Sequence, residues 1–163
     1  MGKGFGEALF WEELNELTGV FTLIYVDRTG KYIVGDSTCM QTVFYCQRAG
    51  HTYISSHINL LGDLLGLHWN QYVKELSEYR FFPMLGNALP GDITQFQEVK
   101  QLVPNHYVKF SKLGVEKKRF YFPHTLSMNK ESVAEQAATI LHRNLELISE
   151  KWNKPAISMT GGQ

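Results

Sequence analysis

The sequence predicts an α+β protein in which a strand-rich first part is flanked by helices and gives way to a long helix and a further short strand. Three observations carry this. Strand-like segments follow one another from Val20 to Ser55, separated only by short turns, as in an antiparallel meander. The first of them, Val20 to Val26, is apolar on both faces, so a layer is expected on each side of its sheet: a second sheet and helices. Between Val133 and Trp152 the apolar residues recur at three- and four-residue intervals, which is helical spacing.

The elements follow in order. The glycine-rich start, Met1 to Gly6, has no strand before it and reads as a flexible end. Ala8, Leu9, Trp11, Leu14 and Leu17 mark a short helix from Glu7 to Leu17, ended by Thr18-Gly19. After the first strand, Asp27 to Gly30 is a turn with glycine placed for a positive φ. Lys31 to Gly35, Thr42 to Gln47 and His51 to Ser55 supply three more strands. Ser56 is expected to cap a helix over His57 to Leu65, closed by Gly66. A second helix runs from Asn70 to Tyr79, with Tyr72, Val73, Leu76 and Tyr79 on one face. Phe81 to Asp92 is a loop, and Thr94 to Leu102 holds a short strand or turn. Tyr107 to Phe110 and Val115 to Phe122 form a hairpin about Lys112 to Gly114. Pro123 to Met128 is a linker, and Asn129 caps the last helix, whose expected core stripe is Val133, Ala137, Ile140, Leu141, Leu145, Ile148 and Trp152.

Composition bounds the function. The chain has 163 residues, 44% apolar and 13% aromatic, with 16 basic residues balancing 16 acidic ones. A zero formal charge supplies no field for nucleic acid. No apolar run approaches the roughly 20 residues of a membrane span, and no signal-peptide core opens the chain. Cys39 and Cys46 are expected to be reduced thiols in a cytoplasmic protein. The six histidines form no metal-binding pair. No Gly-x-Ser-x-Gly elbow surrounds Ser37, Ser55 or Ser56.

The closing stretch carries the sharpest local signal. Pro155 is expected to stop the last helix, and Ala156, Ile157 and Met159 read as a buried strand. Thr160, Gly161 and Gly162 come straight off its end. A hydroxyl followed by two glycines offers free backbone N–H groups and room for a phosphate to approach.

Taken in order, these landmarks resemble the asparagine synthetase family, the glutamine-dependent, ATP-using amidoligases. The resembling features are Gly19 and Phe21 opening a strand, Gly35-Asp36 closing a hairpin, and Val43-Phe44-Tyr45. They continue with Tyr53 to Ser56 running into a helix, Leu102 to Tyr107 before the last hairpin, and the helix and strand that end in Thr160-Gly161-Gly162. The resemblance spans about residues 15 to 163. It implies an N-terminal-nucleophile-type, αββα glutaminase-like domain, present in part, over residues 1–122. A linker at 123–129 would then lead to the first helix and strand of an α/β pyrophosphatase-type synthetase domain at 130–163. It also implies ATP and Mg²⁺ as cofactors of the intact enzyme, with glutamine and a carboxylate as substrates. Asp36 falls where the family places the carboxylate for the α-ammonium of glutamine; an ordinary Gly-Asp turn explains it equally well. Thr160, Gly161 and Gly162 take the positions of the nucleotide loop.

The departures set the expected activity. The family's nucleophile is a cysteine after the initiator Met, whose own amine is the base; here position 2 is Gly2. Cys39 and Cys46 lie within the chain and have no such amine. The glutamine-binding Asn-Gly-Glu stretch has no counterpart, Ser56-His57 replaces the usual Ser-Glu, and Gly35-Asp36 replaces the usual Arg-Asp. The Asp and Ser that follow the nucleotide loop are missing after Gln163. The polypeptide is therefore expected to be a fragment or truncated relative that neither hydrolyses glutamine nor forms an adenylate, and that binds no cofactor tightly. Its C-terminal helix and strand are expected to expose apolar surface and to drive homo-oligomerisation. Two readings stay open: part of an amidotransferase, or a non-catalytic glutaminase-like module that binds or scaffolds a partner.

Overall fold

A computed structural model describes residues 10–11, 13–14, 17–86, 88–120 and 129–156. The chain divides into two compact units, Met1–Phe122 and Pro123–Gln163. Among the described residues the first contains seven strands: β1 (Thr22–Val26), β2 (Lys31–Gly35), β3 (Phe44–Arg48), β4 (His51–Ser55), β5 (Lys100–Gln101), β6 (His106–Ser111) and β7 (Gly114–Arg119). Two helices, α1 (Ile58–Leu65) and α2 (Gln71–Ser77), and a single 3₁₀ turn at Phe82–Leu85 lie between β4 and β5. The second unit is described through one helix, α3 (Lys130–Lys151).

The strands do not form the single meander that their short turns suggest. They form two antiparallel sheets, ordered β1-β2-β6-β7 and β4-β3-β5. Each short turn closes a hairpin within one sheet, but the segment Asp36 to Val43 carries the chain from the first sheet to the second. The central strand β2 is completed from far along the chain, with Ile33 opposite both Ile24 and Val108. Periodicity reports which residues are apolar; it does not report which strand lies alongside.

Three clusters show what fills the layers. Ile33, Val108 and Phe110 of the four-stranded sheet pack against Val43, Tyr45 and Leu102 of the three-stranded one. Alternation along β2 turns Tyr32 and Val34 to the opposite face, where Leu14, Phe10 and Trp11 of a helical N-terminal segment cover them. The Trp11 ring lies 4.5 Å from that of Tyr107, and Phe10 stacks on Tyr25 at 4.6 Å. On the far side of the other sheet, Cys46 and Val99 meet Leu61 of α1 and Phe96. Gly62 lets α1 come this close, because a β-carbon there would run into the Phe96 ring. The first unit is thus helix, sheet, sheet, helix. Ile33, Val34 and Val108 are completely buried, and each such side chain contributes about 1.5–3 kcal/mol of transfer free energy.

Several local expectations need correction. β1 begins two residues later than expected and has only one covered face: Leu23 and Tyr25 pack under the aromatic cluster, while Ile24 and Val26 are 58% and 62% exposed. The strand sits at a sheet edge. α1 starts after His57 and has no side-chain cap; the Ser56 hydroxyl bonds to the His57 ring instead. α2 is shorter than expected and is capped by Asn70, whose side chain accepts from Tyr72 N–H at 3.1 Å. Of its expected apolar face only Val73 is buried.

α3 begins as expected: Asn129 Oδ1 accepts from Ser132 N–H at 2.8 Å. Glu131 in its first turn and Lys151 in its last suit the helix dipole. No residue of α3 is buried, so the expected stripe is not a core; Val133, Ile140, Leu141 and Trp152 are all more than half exposed. The helix also ends at Lys151, short of Pro155, with Trp152 already extended. The linker and the strand expected through Ile157 and Met159 lie outside the described residues. Among the described residues no helix is long and apolar enough to cross a membrane.

Candidate functional site

The residues that could carry chemistry converge where β1 enters and β4 leaves the sandwich. A cavity of about 390 Å³ opens there. Val20, Phe21 and Thr22 form one wall, Gln41 to Val43 the second, and Ile54, Ser55 and Ser56 the third. Its polar groups are hydroxyls and one amide, without a charged side chain. The Thr22 hydroxyl is buried and has no hydrogen-bond partner.

Asp36 stands behind two of these walls. Its N–H donates to Phe21 O at 3.0 Å, which ties it to the β1 wall. Its Oδ1 accepts from the Thr38 hydroxyl at 2.7 Å, from Thr38 N–H at 3.0 Å and from Met40 N–H at 3.3 Å, which ties it to the segment leading into Gln41. The residue is only 3% exposed, and its second oxygen, Oδ2, is buried without a partner. Burial pushes the carboxyl pKa up. The Thr38 hydroxyl and the N–H groups of Met40, Thr38 and Gln41 outweigh that and hold it below the ordinary value, so the group is an anion at neutral pH.

The turn it anchors is strained. Cys39 has a φ of +49°, uncommon for a residue with a side chain, and its N–H donates to Asp36 O at 3.0 Å. Such a conformation costs on the order of 1 kcal/mol and persists only where surrounding bonds impose it. Here those bonds come from Asp36. Gly35, just before it, sits in a tight place: an added β-carbon would lie 3.0 Å from Cys39 Sγ and 3.1 Å from Leu102 Cδ2, so one of these side chains would have to give by a few tenths of an ångström.

Neither thiol is poised for attack. Burial, reinforced by the Asp36 charge, pushes the Cys39 pKa to about 11. Burial and Glu98 raise that of Cys46 despite the opposing effect of Arg48. Both are free thiols. At neutral pH the Cys39 thiolate is roughly 100-fold scarcer than for an ordinary cysteine.

Of the residues singled out from sequence, Asp36 is described here, while Thr160, Gly161 and Gly162 lie outside the described residues. Sequence reasoning missed Thr22, Thr38 and Gln41. Only Thr38 had a signal, as the i+2 hydroxyl of an Asp-x-Thr turn. Thr22 and Gln41 reach the cavity through pairing between distant segments. A second, wider cleft of about 910 Å³ opens at the other end of the sandwich, framed by the turns at Asp27–Gly30, Ala49–Gly50 and Lys112–Gly114. Among known proteins, no family model matches this chain, and a search of curated proteins returns no match.

Proposed function

We propose that residues 1–122 act as a glutaminase-like module of the asparagine synthetase type, and that the cavity beside Asp36 receives the amino-acid end of glutamine. The observation that carries this reading is the Asp36 carboxylate: buried, ionised, fastened through one oxygen and unpartnered at the other. The unpartnered oxygen keeps acceptor capacity for one more donor, and an α-ammonium is a cationic donor of suitable size. The Gln41 amide and the hydroxyls of Ser55 and Ser56, which bond to His57 in the free protein, line the cavity and suit the remaining polar groups of a small zwitterion. Two face-to-face sheets between helical layers support an N-terminal-nucleophile-type fold for the module.

In an intact enzyme, this reading passes glutamine-derived ammonia to a carboxylate adenylated by ATP with Mg²⁺, the nucleotide loop opening at Thr160, Gly161 and Gly162. No chemical step is assigned to those cofactors by the described residues. The chain itself binds without hydrolysing, since Cys39 and Cys46 lie within the chain without the α-amine that serves as base, and burial holds both thiols protonated. That same property favours the second reading, in which the module retains the sandwich and serves as a binding or scaffolding partner.

Titration of L-glutamine into the protein, followed by calorimetry and by thermal shift, tests the reading. Saturable binding is expected for L-glutamine and is expected to vanish for glutaric acid monoamide, which lacks the α-ammonium. Asp36→Asn should abolish binding while the circular dichroism spectrum is retained. Equal binding of the two ligands, or none of either, removes the glutamine assignment and leaves the scaffolding role.

A further inference from the structure

The sandwich has two lateral sides, and they are built differently. On one, β7 carries Glu116, Lys117, Lys118 and Arg119, and β5 is only two residues long and begins with Lys100. Lys117 and Lys100 both reach Asp92, at 2.7 and 3.7 Å, closing that side with charge. Charged and very short edge strands resist pairing with another chain. On the other side lie β1 and β4, which together flank the smaller cavity. The β1 sequence, Thr22-Leu-Ile-Tyr-Val26, has no charge, proline or glycine. Ile24 lies opposite the fully buried Ile33 and so points to the same, inter-sheet face, yet it is 58% exposed. Val26 and Val20 are likewise more than half exposed.

We propose that this side is a self-association surface: β1 pairs antiparallel with β1 of a second copy about a twofold axis at Ile24, continuing the four-stranded sheet across the dimer. A strand added here must be apolar on both faces, facing Ile24 and Val26 on one side and the aromatic layer under Leu23 on the other. β1 itself meets that requirement, and a twofold contact needs a surface complementary to itself. Centred on Ile24, the pairing sets Thr22 opposite Val26, Phe21 opposite Asp27 and Val20 opposite Arg28, so no charge meets its own kind. A five-residue strand is about 17 Å long, and such an edge buries less than the roughly 800 Å² per partner of a standard interface. Weak, concentration-dependent association is therefore expected.

Sedimentation velocity over a concentration series, with hydrogen exchange of the β1 amides, tests this on the full chain. The expected result is a concentration-dependent dimer of the 18.7 kDa chain, with β1 amides more protected in the dimer. Ile24→Lys with Val26→Lys should shift the midpoint to at least ten-fold higher concentration with an unchanged far-UV spectrum. As an independent readout, Ile24→Cys should cross-link to itself under mild oxidation faster than Leu113→Cys, placed at a fully exposed turn. Three results would overturn the proposal. One is a monomer at all concentrations whose β1 amides are already protected, meaning that another segment covers the strand. Another is a dimer lost in Ile140→Glu with Leu141→Glu but kept in the β1 variant. The last is equal cross-linking at both cysteine positions.

Discussion

β1 and β2 are neighbours of equal length, both rich in β-branched and aromatic residues, and paired residue for residue. Their fates differ sharply. β2 has Tyr32, Ile33 and Val34 at 1% exposure or less, whereas β1 leaves Ile24 and Val26 largely in solvent. The difference is positional: β2 has β1 on one side and β6 on the other, and the second sheet over its inner face. Strand propensity therefore measures fitness for a pleated surface and says little about how much of that surface is covered.

Truncation at matched positions should expose this contrast most strongly. Ile33→Ala is expected to cost about 3 kcal/mol by chemical denaturation, because it opens a cavity between the sheets. Ile24→Ala, opposite it, should cost under about 0.5 kcal/mol when measured on the monomer. Comparable losses at both positions would mean that β1 is covered in solution, and the contrast would collapse.

Gly35→Ala probes the exit of β2, where an added β-carbon meets Cys39 Sγ and Leu102 Cδ2 at tight contact distance. A cost of about 1–2 kcal/mol is expected, and β1, lacking such a neighbour, has no equivalent position. A neutral result would show that the Cys39 turn shifts freely and is not held by Asp36.

Asp36 sharpens the comparison through pH. Its folded pKa is held below the ordinary value, so its contribution to stability is complete above the unfolded carboxylate pKa of about 4. It is lost as pH falls through the lower folded value. Asp36→Asn should therefore flatten the acid side of the stability profile and cost about 1 kcal/mol at neutral pH. An acid limb identical to that of the parent would place the titrating group elsewhere.

The smallest expected effect lies in the other unit. Removing the Asn129 cap of α3 as Asn129→Ala should cost about 1 kcal/mol of helix stability. It should appear as reduced helical ellipticity and leave the cooperative unfolding of the sandwich unchanged. A shift of that transition would couple the two units.

Much of the first unit was legible in the sequence because its signals are local. β2 and β4 fall where alternation and turn residues set them, and Gly66 ends α1 in a left-handed conformation, as its lack of a side chain permits. Asn129 capped its helix for a similarly local reason. The site was legible only at Asp36, whose bonds to Thr38 and Met40 run two and four residues along the chain. Its unpartnered oxygen was not legible, and neither was the buried hydroxyl of Thr22. Both depend on what the rest of the fold leaves out of reach.

What the sequence determined by itself, then, is the type and approximate extent of most elements, because backbone geometry and side-chain period act over a few residues. Tertiary structure alone decided the distribution of hairpins between two sheets and the insertion of β6 beside β2. It alone decided the bare inner face of β1 and the absence of a buried stripe on α3. Each of these is a question of which surface meets which, and apolar surface has no address: the hydrophobic effect rewards burial of any such face and does not name the partner.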